Sequence, residues 1–333
     1  MNTHSESFST LTTLRVGGGI NHVERPESKD DCVAHVRSLD EKKEELLILG
    51  GGSNVLARDD FFTGTVLIPS FNNIVFESVG DTVRVIADAG VVWDTLVEKT
   101  VERDLWGFEN LSSIPGNVGA APMQNIGAYG SDISETLEYA EVYDRLEKKI
   151  RILSHKELAF GYRTSVLKKE RGRFVVLSVS FLLSSKSKRK LSYKDLQERF
   201  GDSEPRLGEI RDAVIDIRKN KFPDLSLFGT AGSFFLNPIL SGREASALIA
   251  QYPNIPHFPD GEQTKISLAW LLDNVVHAKG MRVGDAFVWD KQPLVIATEK
   301  SATGSDVRAL MNVIQEKIFE VTKIKIVPEV FVM

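Results

Sequence analysis

The 333-residue sequence holds a single cysteine, Cys32. One thiol can neither close an internal disulfide nor build a zinc cluster, so a disulfide-stapled scaffold is excluded. Cys32 reads as a small apolar filler in a helix. Histidine is scarce too: six scattered residues, none at H-E-x-x-H spacing, and no metal site is expected. The opening MNTHSESFST has no basic segment followed by an apolar stretch, so no signal peptide is expected. Long hydrophobic runs are also missing. The most apolar one, 174–183, is about half the ~20 residues that a membrane span needs. A cytoplasmic protein without membrane insertion is the expectation. Net charge is only -5. That argues against a general nucleic-acid binder, which carries a basic face, but leaves room for an anionic ligand held by local cations. No internal repeat and no low-complexity tract is present.

What remains is an average globular composition, 42% hydrophobic and 26% charged, at a length suited to two or three domains. The run 45–50 (ELLILG) ends at glycine as a buried strand would, residues 30–40 before it fit a helix, and GTVLIP follows as a further strand. From about residue 73 the texture is β-rich: IVFESV, TVRVIADA, YAEVYD, KIRILS and RFVVLSVSFLL. One helix, 93–105, interrupts it. The basic run KSKRK at 186–190 reads as a solvated loop or edge. Near residue 200 a third region begins, with Ile210, Val214 and Ile217 at helical spacing. Val307, Leu310, Met311, Ile314 and Ile318 share one face of a helix over 306–321, which Thr303 and Asp306 start with a capping box. The ending KIKIVPEVFVM alternates as a strand with Pro328 near an edge or terminus. The fold class is therefore α+β, in several lobes.

Two loops are rich in small residues. Gly50, Gly51, Gly52, Ser53 and Asn54 follow an apolar strand, and glycines allow backbone N–H groups to face a phosphate. GGG alone would read as a tight turn; neither G-x-G-x-x-G nor Gly-Lys-Ser/Thr is present, so no Rossmann or P-loop site is supported. The second loop, 107–130, reads GFENLSSIPGNVGAAPMQNIGAYG. Small residues (Gly116, Gly119, Ala120, Ala121, Gly127, Ala128) alternate with polar ones (Ser112, Ser113, Asn117, Gln124, Asn125), and Pro115 and Pro122 stiffen it. A loop of this length without regular structure is more often functional than a mere crossover, and its small side chains let a flat ligand lie on the backbone.

The stretch ENLSSIPGNVGAAPMQNIGAYG resembles the signature of the MurB family, the UDP-N-acetylenolpyruvoylglucosamine reductases. LILGGGSNVL at 47–56, FGYRTSVLK at 160–168, AGSFFLNP at 231–238, SLAWLLDNV at 267–275 with Lys279-Gly280, VPEVFV at 327–332 and TLRVGG at 13–18 match in the family's order, across essentially the whole chain. The resemblance implies a two-lobed FAD-binding domain of the vanillyl-alcohol-oxidase type and a C-terminal α+β substrate-binding domain. The lobes are then 1–72 with 319–333 and 73–200, and the substrate domain is 201–318. It implies non-covalent FAD, NADPH as hydride donor, and a UDP-sugar whose enolpyruvyl ether is reduced to give UDP-N-acetylmuramate for peptidoglycan synthesis. Cell-wall biogenesis, cell shape and division follow from that role. LSYKDLQERF with Tyr193 resembles the tyrosine-bearing loop of the family's first subtype, which closes over the nucleotide.

The chemistry needs a cation or acid beside the substrate carboxylate, where enolate charge develops, and a proton donor at the neighbouring carbon. The resemblance assigns these roles to Arg163, Glu329 and Ser233. An arginine grips a carboxylate at two points, and a partly buried acid can stay protonated or hold that arginine. By residue type alone, Arg163 would read as a surface ion pair, Ser233 as a turn residue and Glu329 as an edge-strand charge. The cofactor set carried by the resemblance is Gly50, Gly51, Gly52, Ser53, Asn54, Ser112, Ile114, Pro115, Gly116, Gly119, Ala120, Asn125, Gly127, Ala128 and Tyr129. Tyr129, Tyr193, Lys221, Asn237 and Gln292 join Arg163 and Ser233 as substrate contacts. One departure stands out: Val327 occupies the place where the family often has an acid, two residues before Glu329. Two further readings compete. A flavin oxidase on the same fold often tethers FAD through histidine or cysteine, and neither lies in the glycine-rich loops. A non-catalytic flavin or nucleotide-sugar binder would not need Arg163, Ser233 and Glu329. One pocket admitting NADPH and UDP-sugar in turn would give ping-pong kinetics.

Overall fold

The computed structural model describes residues 6–333; residues 1–5, part of the segment read for a targeting peptide, lie outside the described residues. Two compact units emerge. One comprises Ile20–Gly51 and Phe62–Arg218; the other comprises the described residues up to Gly19, Gly52–Phe61 and Lys219–Met333.

The first unit carries two sheets. A parallel trio runs Ile20–Glu24, Phe62–Leu67, Leu46–Ile48 in spatial order. Parallel neighbours need a crossover, and the helix Lys29–Lys42 supplies it, capped by the Ser28 hydroxyl and closed by Lys43 in the left-handed conformation. The other sheet is antiparallel and five-stranded, with Phe174–Ser184 at its centre between Leu137–Asp144 and Thr82–Asp88. This central strand is nearly all apolar because both faces are covered. Val175 and Leu177 pack with Cys32, Val33 and Val36 of the crossover helix, while Val176, Val179, Phe181 and Leu183 face a second cluster around Trp93 and Phe108. The change of parity between Val176 and Val179 has a cause: the register slips by one between Val176 and Ser178, a bulge that flips later side chains. Trp93–Val101 is a helix, shorter than expected because the chain turns at Arg103 and Asp104, the latter left-handed.

The second unit has a four-stranded antiparallel sheet ordered Gly229–Ser233, Val295–Thr298, Ala286–Val288, Arg282–Val283, and a smaller one built on Gln263–Ile266. The helix Gly304–Thr322 covers the former with Val307, Leu310, Met311, Ile314 and Ile318, as its periodicity requires. Both bonds of the Thr303–Asp306 capping box form, and the Asp59 carboxylate accepts the first amides, Gly304 at 2.6 Å and Ser305 at 2.8 Å. Among the described residues, no helix is long and apolar enough to cross a membrane.

The terminal segment differs from expectation. The terminal strand is only Phe331–Val332, parallel to Val55–Leu56. Pro328 cannot donate to a ladder, and it makes an isolated bridge to Phe235 instead. By compactness, 319–333 packs in the second unit, and the helix Leu207–Lys221 lies up to Arg218 in the first. The run 186–190 is an exposed loop, as expected, with Lys186 on Asp81, Arg189 on Glu204 and Lys190 on Glu135.

Cys32 is fully buried, and burial, with the charge of Asp31 adding, pushes its thiol up to about 12. The native protein is therefore expected not to react with an aromatic disulfide reagent at about pH 8, and to release one equivalent of chromophore on unfolding. Rapid labelling of the native state would contradict this burial.

Candidate active site

The loop 107–130 is held to the end of the strand Thr82–Asp88 by its own backbone. Val118 N–H donates to Val91 O at 2.8 Å and Gly119 N–H to Ala89 O at 3.0 Å; Trp93 N–H reaches Gly116 O at 2.9 Å. Asn117 Nδ2 donates to Gly90 O at 2.7 Å, and the Trp93 indole N–H to Leu111 O at 2.9 Å. The loop is not structureless. It contains 3-10 turns at Glu109–Leu111 and Val118–Gln124, and Pro122 suits the latter because a short tight turn needs few amide donors.

The glycines of both loops meet in this unit. A Cβ on Gly51 would lie 2.8 Å from Gly116 Cα and from Asn117 Oδ1; one on Gly50 would lie 3.1 Å from Ala120 Cβ; one on Gly119 would lie 2.6 Å from Ala89 Cβ. The two loops thus touch backbone to backbone, leaving a small-residue surface suited to a diphosphate and a flat ring. Gly52, Ser53 and Asn54 belong to the other unit. There Gly52 is left-handed, and a Cβ on it would lie 2.1 Å from Leu11 O.

Four non-glycine residues on or against the long loop are left-handed: Ser113 (φ 60°), Asn125 (47°), Tyr129 (49°) and Arg163 (53°). Such backbone persists only when surroundings fix it, and it gathers at functional sites. Asn125 is fixed by its own side chain, Oδ1 accepting from Ser134 N–H at 3.0 Å. Tyr129 O accepts from Asn110 Nδ2 at 2.7 Å. Tyr162 and Arg163 form the tip of a two-residue turn closed by paired bonds between Gly161 and Thr164. Arg163 Nη2 donates to Gly127 O at 2.6 Å, and Arg163 O accepts from Lys168 Nζ at 3.1 Å. Ser113 N–H donates to Asp94 Oδ1 at 2.5 Å, and Ser113 O accepts from Arg218 Nε at 3.0 Å. The Ser112 hydroxyl donates within the loop, to Glu109 O at 2.7 Å, and the Asn125 side chain is occupied beyond it, by Ser134 N–H and Gly161 O.

Tyr129 is buried, its ring 5.2 Å from the exposed Tyr193 in an edge-to-face pair. Burial pushes its phenol up to about 12, opposed by the charge and hydrogen bond of Arg218. Sequence reasoning passed over Arg218, Asp94, Arg211 and Asn110. Arg218 had a signal: it stands three residues before Lys221 on one helix, the spacing that shares a face. Asp94 and Arg211 had none, because only tertiary packing pairs them, at 2.7 and 2.9 Å. Burial would raise the Asp94 carboxyl, but the Arg211 and Ser113 hydrogen bonds and the charges of Arg211 and Arg218 hold it below the usual carboxylate range. Asn110 Oδ1 is buried with no hydrogen-bond partner among the described residues.

In the second unit Ser233 ends the strand Gly229–Ser233 just past a register shift, where Gly232 is left-handed (φ 74°). Bulges of this kind re-aim a side chain. Phe234 O accepts from Glu329 N–H at 2.9 Å, so Ser233 and Glu329 are neighbours in space although about a hundred residues apart. Asn54 Nδ2 donates to Glu329 O at 3.3 Å. Glu329 is half-buried. Asn237 Oδ1 caps Leu268 N–H at 3.0 Å, and Lys279 pairs with Asp273 at 2.8 Å. Gln292 lies in the turn between Trp289 and Val295. Lys221 ends the helix that begins at Leu207. Among the described residues no cluster of His, Cys, Asp or Glu could hold a metal ion.

Comparison with known proteins agrees with this layout. A family model described as FAD binding domain matches residues 20–152. One described as UDP-N-acetylenolpyruvoylglucosamine reductase, C-terminal domain, matches residues 224–333. The UDP-N-acetylenolpyruvoylglucosamine reductase of Thermobifida fusca is 38% identical, with 97% of this chain and 95% of that protein covered. This chain belongs to that family. The Escherichia coli O6:H1 reductase is 34% identical over 98% of this chain and 95% of its own. The solved structure of MurB from Thermus caldophilus shares the fold, with a TM-score of 0.70 at 23% identity, covering 99% of this chain and 98% of that one. The two-domain, α+β, FAD-binding reading is thereby established.

Gly51→Ala tests the contact between the loops. Overpacking of about 1–3 kcal/mol is expected, with a lower melting temperature and less bound flavin per chain by absorbance. Gly208→Ala meets nothing within 4 Å and should retain both.

Proposed function

We infer that this chain reduces the enolpyruvyl group of a UDP-sugar with electrons from NADPH, yielding UDP-N-acetylmuramate, as the names of its relatives indicate. The observation that carries the reading is the close approach of Gly51 to the Gly116 backbone and of Gly50 to the Ala120 methyl, with Tyr129 and Arg163 both held left-handed. Bound FAD supplies a two-electron hydride relay between NADPH and the double bond.

We assign the flavin to Gly50, Gly51, Gly52, Ser53, Asn54 and the positions Ser112, Ile114, Pro115, Gly116, Gly119, Ala120, Asn125, Gly127, Ala128 and Tyr129. No histidine or cysteine lies in either loop, which supports non-covalent attachment. Arg163 is assigned to the substrate carboxylate, where its planar fork stabilises enolate charge. Its guanidinium is already braced on Gly127 O, so little side-chain freedom is lost on binding. Ser233 is assigned as proton donor to the carbon beside that carboxylate, and Glu329 as the acid that assists there. Tyr193, Lys221 and Asn237 suit the UDP diphosphate, with Gln292 and Tyr129 completing the substrate set. A role in peptidoglycan synthesis, and so in cell shape and division, in the cytoplasm follows from this activity. The flavin-oxidase alternative gains nothing from the comparisons.

The test is NADPH oxidation by the purified protein with and without the enolpyruvyl UDP-sugar; no sugar-dependent consumption would sink the reading. Ser233→Ala should leave flavin reduction by NADPH intact and slow reoxidation by the sugar by about 10²–10⁴-fold, the range for losing a general acid. Stopped-flow absorbance separates the two half-reactions. Equal rates in Ser233→Ala and the parent would remove Ser233 from the chemistry.

A further inference from the structure

The carboxylate of Asp94 lies outside every motif that marks the family resemblance, yet it bonds the left-handed residue at the loop entrance. Ser113 is left-handed immediately before Ile114, Pro115 and Gly116. Its two backbone groups are tied on opposite sides: N–H to Asp94 Oδ1 at 2.5 Å, C=O to Arg218 Nε at 3.0 Å. Arg211 in turn holds both oxygens of Asp94, Nη1 to Oδ1 at 2.7 Å and Nη2 to Oδ2 at 2.9 Å. Arg211 and Arg218 are two helical turns apart on Leu207–Lys221, so one helix face anchors both ties. Arg218 also hydrogen-bonds Tyr129, the left-handed residue near the loop's other end. A serine adopts positive φ only when held there, whereas glycine does so at no steric cost.

We propose that Asp94, braced by Arg211, is a positioning residue for the flavin: it holds Ser113 left-handed and so sets the backbone from Ser113 to Gly116 in its binding conformation. Both oxygens of the carboxylate are used, Oδ1 accepting from Ser113 N–H and Arg211 Nη1 and Oδ2 from Arg211 Nη2, and the two-point brace needs both. Asparagine would keep the shape but present an amide N–H to one of these donors. The inference rests on the assignment of this loop to FAD.

The experiment compares FAD dissociation constants, by quenching of flavin fluorescence, and visible circular dichroism of bound flavin for Asp94→Asn, Ser113→Gly and the double variant. Asp94→Asn is expected to weaken FAD about 10-fold or more, one decade of affinity or above, and to alter the flavin dichroism. Ser113→Gly alone should bind within about twofold of the parent, since glycine needs no brace. The double variant should regain most of the lost affinity. A merely structural loss at Asp94 would not be repaired by removing a side chain at Ser113. Unchanged affinity in Asp94→Asn, or a double variant as weak as Asp94→Asn, overturns the proposal. Should Asp94→Asn fail to fold, Arg211→Gln removes the brace alone; weaker binding repaired by Ser113→Gly is again required. Retention of flavin by Gly51→Ala would sink the loop assignment and this inference with it. Loss by Gly51→Ala with retention by Asp94→Asn sinks the inference only.

Discussion

The backbones of Gly51 and Gly116 lie against each other with no room for a Cβ at Gly51, and the candidate cofactor surface depends on that contact. Gly51 sits where any Cβ would enter the van der Waals envelope of Gly116 and Asn117, and Gly119 stands in the same relation to Ala89. Glycine loses more conformational freedom on folding than other residues, so glycines packed this tightly mark a geometric demand. The demand is that the strand following the crossover helix and the loop after Trp93–Val101 approach to main-chain distance. The central strand makes this possible, because Val175 and Leu177 on one face join the two sheets in one cluster, while Val179 and Phe181 on the other pack with Trp93, Phe108, Leu111 and Val118 of the helix and the long loop.

Backbone contact brings the loops together; it does not shape them. Shape comes from four left-handed positions, each held by hydrogen bonds at its own backbone or side chain. The holders come from different places: Asp94 from a helix's first turn, Asn110 from a 3-10 turn, Ser134 from beyond the loop, Lys168 after it. A loop strained at one point could relax by shifting its neighbours, whereas a loop strained at several fixed points cannot. This is preorganisation in structural terms, with the ordering cost met in folding rather than on ligand binding.

Periodicity and motif made much of this legible. The terminal helix, the crossover helix and the strands of the five-stranded sheet follow from patterns of 3.6 and 2, since burial of one face or two writes directly into residue choice. The glycines and Arg163 were legible through motif order. What did not show was anything decided by tertiary pairing. Asp94 and Arg211 are 117 positions apart, and nothing local distinguishes either from a solvated charge. The use of Ser112 and Asn125 as internal braces was equally hidden, because a polar residue beside glycine reads alike whether it serves a ligand or its own chain. The long terminal strand failed for a physical reason: alternation predicts faces, but a ladder needs amide donors, and Pro328 removes one where pairing would have to pass.

That failure bears on Glu329, the residue whose support the sequence left open once Val327 replaced the family's usual acid. The segment is held by its main chain. Val327 contributes its carbonyl, which accepts from Leu236 N–H at 3.1 Å, while the residue is 53% exposed. Glu329 gives its N–H to Phe234 O, and its carbonyl accepts from Asn54 Nδ2. Phe331 N–H then donates to Asn54 O at 2.9 Å. Three main-chain bonds and one side-chain amide therefore fix the register on both sides of Glu329, and none depends on the identity of the side chain at 327. An acid there is dispensable to the backbone that carries Glu329. The same bonds give Asn54 a structural duty: from the end of the glycine loop it clamps the strand-like segment bearing the acid. The motif GGGSN thus divides its labour, its first glycines facing the long loop and its asparagine holding Glu329 beside Ser233.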